Sequence, residues 1–246
     1  MHPSLKALDH RPWPLPSAPW TWRQSWRDLL FAHWPVARDV LLPLVPEELE
    51  VQEFEGSSWV GVVPFRMSGV MRRPFPDFPG ISAFPELNLR LYVEKDGRPG
   101  VWFLSLDAAN SLAVWAARKF FHLPYSHAAM GLEEDSAGTI SYRSRRQSGN
   151  QRFEAEYSAT SEPYLAQPDS LEHWLTERYC LYARSPDGRL FRGEIHHPPW
   201  PLQKAEAEIS HNDLWEGHFP APTGPPALLH FARRIDVVVW NLEPLT

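Results

Sequence analysis

Prolines interrupt this chain too often for a long-helix protein. There are 26 in 246 residues, about twice the usual share of roughly 5%. Proline breaks helix interiors and is barred from central strands, so these residues belong at strand ends, bulges, turns and loops. That argues against a long coiled coil or a helical bundle. Proline enrichment also marks disordered chains, but those are poor in aromatics. Here there are 12 Trp, 13 Phe and 7 Tyr, and 43% of residues are hydrophobic. The expectation is a folded, β-rich chain with a sizeable core.

The charge is mildly acidic, with 24 Lys and Arg against 30 Asp and Glu. Binding nucleic acid through its phosphates needs a basic surface, so nucleic acid is not an expected partner. No apolar run reaches the ~18 residues of a membrane helix. Residues 1–20 carry Pro3, Pro12, Pro14, Pro16 and Pro19 and no secretory pattern. Cys180 is the single cysteine, so no internal disulfide or thiolate cluster can form. These signals point to a cytoplasmic protein without a cofactor, and leave its oligomeric state undetermined.

Along the chain, residues 1–20 read as a proline-rich arm with Trp13 and Trp20 as anchors, and 21–246 as a single α+β domain. A buried strand at 26–34 is stopped by Pro35, and a two-turn helix fits 36–42. A short strand follows at 49–54. The run 59–67 is β-branched and aromatic with Pro64 inside it, which requires a bulge or an edge. Residues 72–85 read as a loop holding Pro74, Pro76, Pro79 and Pro85. Glu86 to Glu94 alternates strictly, and Asp96-Gly97 turns it into a partner strand over 100–106. A helix is expected over 109–121, and a second over 170–178 with Ser170 as its cap. Further strands are expected at 138–146, 149–159, 178–184, 189–197 and 234–240, with a strand or helix at 202–213. About ten strands and two longer helices make a curled, mainly antiparallel sheet or barrel.

The alternating strand is the most informative segment. Leu87, Leu89, Leu91 and Val93 share one face; Glu86, Asn88, Arg90 and Tyr92 share the other. The second row reads first as a solvated face, with Glu86 and Arg90 as an exposed pair, and otherwise as the wall of a polar-ligand site. On the helix 109–121, Ser111, Trp115, Arg118 and Lys119 form one polar stripe on an otherwise apolar circumference. The expectation is a helix buried on most sides, with Lys119 as the leading amine nucleophile or as a lysine lying over Trp115. The 11 histidines match no metal-ligand spacing. Cys180 reads as a buried small hydrophobe.

Six ordered segments carry a resemblance. They are His33-Trp34-Pro35-Val36, Trp59-Val60-Gly61-Val62-Val63-Pro64-Phe65, Glu86-Leu87-Asn88-Leu89-Arg90, Leu123-Pro124-Tyr125, Leu175-Thr176-Glu177-Arg178-Tyr179 and His196-His197-Pro198-Pro199-Trp200-Pro201-Leu202. Over residues 22–210 the chain resembles the YqjF-like family of uncharacterised conserved proteins, a domain of unknown function. That family looks related to the acetoacetate decarboxylase-like superfamily. The resemblance implies a curled antiparallel sheet around a small-molecule pocket, near the hairpin 86–107 and the following helix. The decarboxylases place a Pro-Lys-Lys run just beyond that helix, where a lysine forms a Schiff base. Here the stretch reads Phe120-Phe121-His122-Leu123-Pro124-Tyr125, without lysine.

Two functional expectations follow. One is an enzyme acting on a small carbonyl or carboxylate compound, with Glu86, Arg118, Lys119 and His122 as catalytic candidates. The other is a non-catalytic protein binding a small ligand in the same pocket. His33, Trp59, Asn88, Arg90, Trp102 and Tyr125 are the ligand-binding candidates, and no metal is expected. A third reading, an interaction protein that docks through its arm, requires residues 1–20 to be free.

Overall fold

The computed structural model describes residues 2–77 and 82–245. In chain order the elements are β1 (Trp22–Val36), α1 (Arg38–Leu41), β2 (Glu50–Val51), β3 (Ser58–Arg72), β4 (Phe84–Lys95) and β5 (Arg98–Ala108). Then come α2 (Ser111–Phe121), β6 (Tyr125–Glu134), β7 (Ile140–Arg146), β8 (Arg152–Ala159) and α3 (Leu171–Thr176). β9 (Cys180–Arg184), β10 (Leu190–His196), β11 (Gln203–Asn212) and β12 (Leu228–Pro244) complete the chain.

The strands close on themselves. β12 pairs with β1, β1 with β3, β3 with β4, β4 with β5, β5 with β9, β9 with β10, and β10 returns to β12. All of these pairings are antiparallel except β5–β9. Closure leaves the ring without an open edge, which is how a β-rich chain avoids edge-to-edge association. Phe31, Phe65, Phe84, Leu106, Leu181, Ile195 and Val237, one from each ring strand, belong to a single apolar cluster on the inner side. A second layer, β6–β7–β8–β11, covers one outer side. There Leu87 and Leu89 pack with Tyr142, Phe153 and Tyr157.

Pro64 behaves as the sequence requires. It lies within β3, and the β1–β3 register shifts by one residue between Arg27/Arg66 and Ala32/Val62. Asp28 sits in this bulge with φ 55°. A one-residue shift changes which side chains face inward. Trp22 and Trp26 point into the ring before it; Leu29 and Phe31 do so after it. The bulge therefore turns His33 inward as well, since His33 continues the alternation of Leu29 and Phe31. Asp28 is held there by Arg66 and Arg233 on its carboxylate and by the Tyr157 hydroxyl on its carbonyl.

Several expectations change. Pro35 does not stop the first strand; it lies inside β1 opposite Trp59. The helix after it is one turn, continued by a 3-10 turn at Leu42–Leu44. β6 has no counterpart in the sequence reading, because its exposed outer face and small residues Ala128, Ala129 and Gly131 hide the alternation. The 202–213 segment is a strand, β11. Of the loop read at 72–85, residues 78–81, including Pro79, lie outside the described residues.

The helix at 109–121 is α2, capped by the Asn110 side chain and ended by His122 in a left-handed conformation. It is not buried on most sides. Leu112, Trp115 and Phe120 are 54%, 53% and 55% exposed. Only the stripe of Ala113, Val114, Ala117 and Phe121 packs on the ring. Apolar periodicity showed that a helix forms, but not that its neighbours were too few to cover it. The second helix, α3, carries the Ser170 cap as expected: its hydroxyl accepts from the His173 N–H.

The arm folds back onto the outside of the ring. Arg11 pairs with the buried Glu194, the Trp13 indole donates to the same carboxylate at 2.8 Å, and Arg73 lies over Trp20 at 4.5 Å. The docking-arm reading therefore lacks its free segment.

Candidate functional site

The site is built on β4. Asp96 and Gly97 take φ of 53° and 70° in the turn that follows it, and this turn sets the pairing with β5. Across β3, Glu86 faces Phe65, Asn88 faces Val63 and Arg90 faces Gly61. Phe65 and Val63 belong to the inner cluster, so the row Glu86, Asn88, Arg90, Tyr92 points inward. The solvated-face reading of this row fails: Glu86 is 3% exposed, and Asn88 and Tyr92 are also buried.

At one end of the row lies a carboxyl–phenol pair. The Tyr125 hydroxyl donates to Glu86 Oε2 at 2.9 Å. The Tyr142 hydroxyl reaches from the outer layer to the Glu86 carbonyl at 2.7 Å, fixing the strand from behind. Burial raises the Glu86 pKa to about 8; the Tyr125 hydrogen bond opposes this and the charge of Asp107 adds to it. Burial likewise holds the Tyr125 phenol well above its usual range. At neutral pH the pair is therefore a neutral acid hydrogen-bonded to a neutral phenol.

At the other end, α3 closes the ring. Trp59, Tyr92, Val101 and Leu175 form its apolar floor, with Phe103 and Trp174 against them. His33 and Tyr92 share a hydrogen bond of 2.6 Å. Burial, with the charges of Arg90 and His230, keeps His33 well below its usual pKa and hence neutral. Arg90 spreads over Phe31, and Arg178 over Trp174. His230 faces Phe31 from β12, with Glu172 of α3 at 4.0 Å. Between the two ends, Trp200 meets Phe31 edge-on at 4.9 Å and stacks with Trp26 at 5.9 Å.

Polar atoms collect on this inner face without partners. His33 Nδ1, Trp59 Nε1, Asn88 Oδ1, Arg90 Nε, Arg178 Nη2, Trp200 Nε1 and His230 Nδ1 are buried with no hydrogen-bond partner among the described residues. Buried polar groups are normally satisfied, by a protein group or by water.

The candidates read from sequence thus separate. Glu86, Asn88, Arg90, His33, Trp59 and Tyr125 share the inner face. Trp102 does not: it packs with the outer cluster and its indole donates to the Leu44 carbonyl. Lys119 lies on the exposed side of α2, its ammonium 5.0 Å from the Trp115 ring. Arg118 donates to the Tyr125 carbonyl, and His122 packs on Phe191. Arg178, His230 and Gly61 were missed as site residues. Gly61 had a signal, since a glycine inside a strand marks a close approach. His230 had none.

Two surface clefts lie elsewhere. One of about 590 Å³ is lined by residues including Arg38, Glu47 and Lys95, and one of about 270 Å³ by residues including Pro3, Pro198 and Asp236. Burial pushes the Cys180 thiol up to about 12, so it is an inert small hydrophobe. Among the described residues, no group of three or more His, Cys, Asp or Glu could hold a metal ion. Nor is any helix among them long and apolar enough to cross a membrane.

Residues 23–236 match the DUF2071 family, described as an uncharacterized conserved protein. The chain is 46% identical over 231 residues to the uncharacterized protein YqjF of Bacillus subtilis (strain 168), covering 93% of this chain and 94% of that one. Among solved structures it is similar to acetoacetate decarboxylase from Legionella pneumophila, with a TM-score of 0.64 and 16% identity over 96% of this chain and 92% of that one. It is equally similar to the enduracididine biosynthesis enzyme MppR, solved with the condensation product of pyruvate and imidazole 4-carboxaldehyde. There the TM-score is 0.64 at 12% identity, over 93% of this chain and 90% of that one. An acetoacetate decarboxylase-like enzyme from Sphingomonas wittichii RW1 aligns with a TM-score of 0.63 at 12% identity, over 93% and 94%. At these identities the likeness shows the fold, which is acetoacetate decarboxylase-like.

Proposed function

The chain belongs to the DUF2071 family of uncharacterised conserved proteins, and from that premise we propose that its ring interior binds a small carbonyl or carboxylate compound, with Glu86 moving a proton on it. The observation that carries this reading is the buried Glu86 carboxyl, with a pKa near 8 and hydrogen-bonded to Tyr125. A general acid or base works best when its pKa lies near the working pH. With a pKa of about 8, roughly a tenth of Glu86 is ionised at pH 7, enough to accept a proton. The same group, protonated, is a donor to a carbonyl or enolate oxygen. Tyr125 stabilises the carboxylate when the proton has left.

The reaction does not run through a lysine. The position where the resemblance places a Pro-Lys-Lys run holds Pro124-Tyr125, and Lys119 lies over Trp115 on the exposed side of α2. What remains is proton transfer at carbon next to a carbonyl: Glu86 takes the proton, and the electron pair moves onto the carbonyl oxygen. The solved relatives of this fold include a protein bound to a pyruvate condensation product, which supports a small oxo acid as the compound class.

A second reading is ligand binding without chemistry. It is favoured by Arg118 and Lys119 standing outside the ring, which leaves Glu86 as the one inward-facing acid in the β4 row. One experiment separates the two. Pyruvate, 2-oxobutyrate and acetoacetate are incubated with the protein in deuterated water, and loss of the protons beside the carbonyl is followed by NMR. The enzyme reading expects exchange above the buffer rate that disappears in Glu86→Gln. Saturable binding with no enhanced exchange supports the binding reading, and absence of both overturns the proposal.

A further inference from the structure

Two guanidinium groups lie against the Tyr92 ring at the α3 end of the ring. Arg90 comes from β4 and Arg178 from the segment after α3, and their central carbons lie 5.6 and 5.0 Å from the Tyr92 ring centroid. Arg178 is 6% exposed. It spends Nε on the Trp174 carbonyl and Nη1 on Gln52, leaving Nη2 without a partner among the described residues. Arg90 Nε is likewise unpartnered. Neither arginine makes an ion pair with a carboxylate among the described residues, although the chain carries 30 acidic side chains. The charge of Arg90 bears on Arg178, opposed by that of Glu94. Arg178 is buried and Arg90 half-buried, and a buried cation without a paired carboxylate is costly, so an incoming anion would relieve the arrangement.

The surroundings select the anion. Guanidinium forks match planar carboxylates through paired N–H donors, and these forks lie over Tyr92, Trp174 and Phe31. The neighbouring side chains are apolar: Trp59, Val101, Leu175 and Leu228. Glu172 at 4.0 Å from His230 repels a doubly charged group. His33 and His230 are both held neutral by burial and so add no competing charge.

We infer that Arg90 and Arg178 together anchor the carboxylate of a monocarboxylate ligand whose apolar body lies against Phe31, Trp59 and Trp174. This inference rests on the ring interior being the ligand site, and it adds an anchor at the end opposite Glu86. Along an extended strand, four residues separate Arg90 from Glu86 by roughly 13 Å between α-carbons. A small oxo acid such as pyruvate therefore reaches one end only, and an acid that touches both ends is an extended one.

The test uses hexanoate as the probe, with hexanol and inorganic phosphate as controls, read by calorimetry and tryptophan fluorescence on the full chain. Hexanoate is expected to bind saturably and at least tenfold more tightly than hexanol or phosphate. Arg178→Met should weaken hexanoate at least tenfold while leaving hexanol unchanged. Arg90→Lys and Arg178→Lys, which keep the charge, guard against misfolding and should recover part of the affinity. Hexanol binding as tightly as hexanoate overturns the anchor, as does phosphate doing so. Hexanoate binding unaltered in the arginine variants overturns the anchor but leaves an interior site, and exchange at Glu86 then still tests the proposed function. Absence of saturable hexanoate binding to the wild type overturns the anchor, whereas oxo-acid exchange dependent on Glu86 would keep the proposed function standing.

Discussion

The imidazole of His33 crosses the backbone of Gly61 to meet the Tyr92 hydroxyl at 2.6 Å. His33 and Gly61 are paired across β1 and β3. A Cβ on Gly61 would sit 3.0 Å from His33 Nε2 and 3.3 Å from Tyr92 Oη. Only a glycine lets the two polar groups join over the strand. The pair in turn stiffens the ring beside Arg90 and Arg178.

Gly61→Ala should therefore separate His33 from Tyr92. Overpacking of this kind costs about 1–3 kcal/mol, measurable as a shift of the urea midpoint. The oxo-acid exchange at Glu86, at the far end, should survive in the protein that remains folded.

Asp28 tests the bulge that turns His33 inward. Its φ of 55° costs alanine roughly 1–2 kcal/mol but glycine almost nothing. Both substitutions remove the carboxylate that Arg66 and Arg233 hold. Asp28→Gly should thus unfold at higher denaturant than Asp28→Ala, an order opposite to that of an ordinary strand position.

Lys119 lies over Trp115 on the exposed side of α2. Lys119→Met should leave stability within about 0.5 kcal/mol, as for surface positions generally. Borohydride reduction in the presence of acetoacetate should leave Lys119 unmodified by mass spectrometry, under conditions that trap a control Schiff-base enzyme.

Glu86 also makes stability depend on pH. Its folded pKa is raised from 4.5 to about 8, so between these values the folded state holds a proton that the unfolded state releases. Stability contributed by this group is complete below about pH 4.5 and is lost as pH rises through about 8. Glu86→Gln should flatten that decline in a series of thermal melts from pH 5 to 9.

Much of this was legible locally. The alternation of Glu86 to Glu94 and the Asp96-Gly97 turn specify a hairpin, because side-chain direction in a strand depends only on parity. Pro64 announced its bulge. The exposure of α2 was not legible, since periodicity places Leu112 and Trp115 on a helix without saying what covers them. The pairs that make the site were also hidden. Glu86 and Tyr125 stand 39 residues apart and His33 and Tyr92 stand 59 apart, so only ring closure brings them together. The outward position of Trp102 was hidden for a related reason: the irregularity in β4–β5 pairing between Leu89 and Arg90 breaks simple parity across that pair.

Tyr125→Phe isolates the phenol. Its hydrogen bond lowers the Glu86 pKa, so its removal should raise that pKa further and shift any pH profile of proton exchange to higher pH.

The most direct measurement is the titration of Glu86 itself, followed by carbon-13 NMR of labelled glutamate side chains and assigned with Glu86→Gln. One carboxyl resonance is expected to titrate near pH 8, displaced upward in Tyr125→Phe. A Glu86 resonance titrating near 4.5, unmoved by Tyr125→Phe, would contradict this.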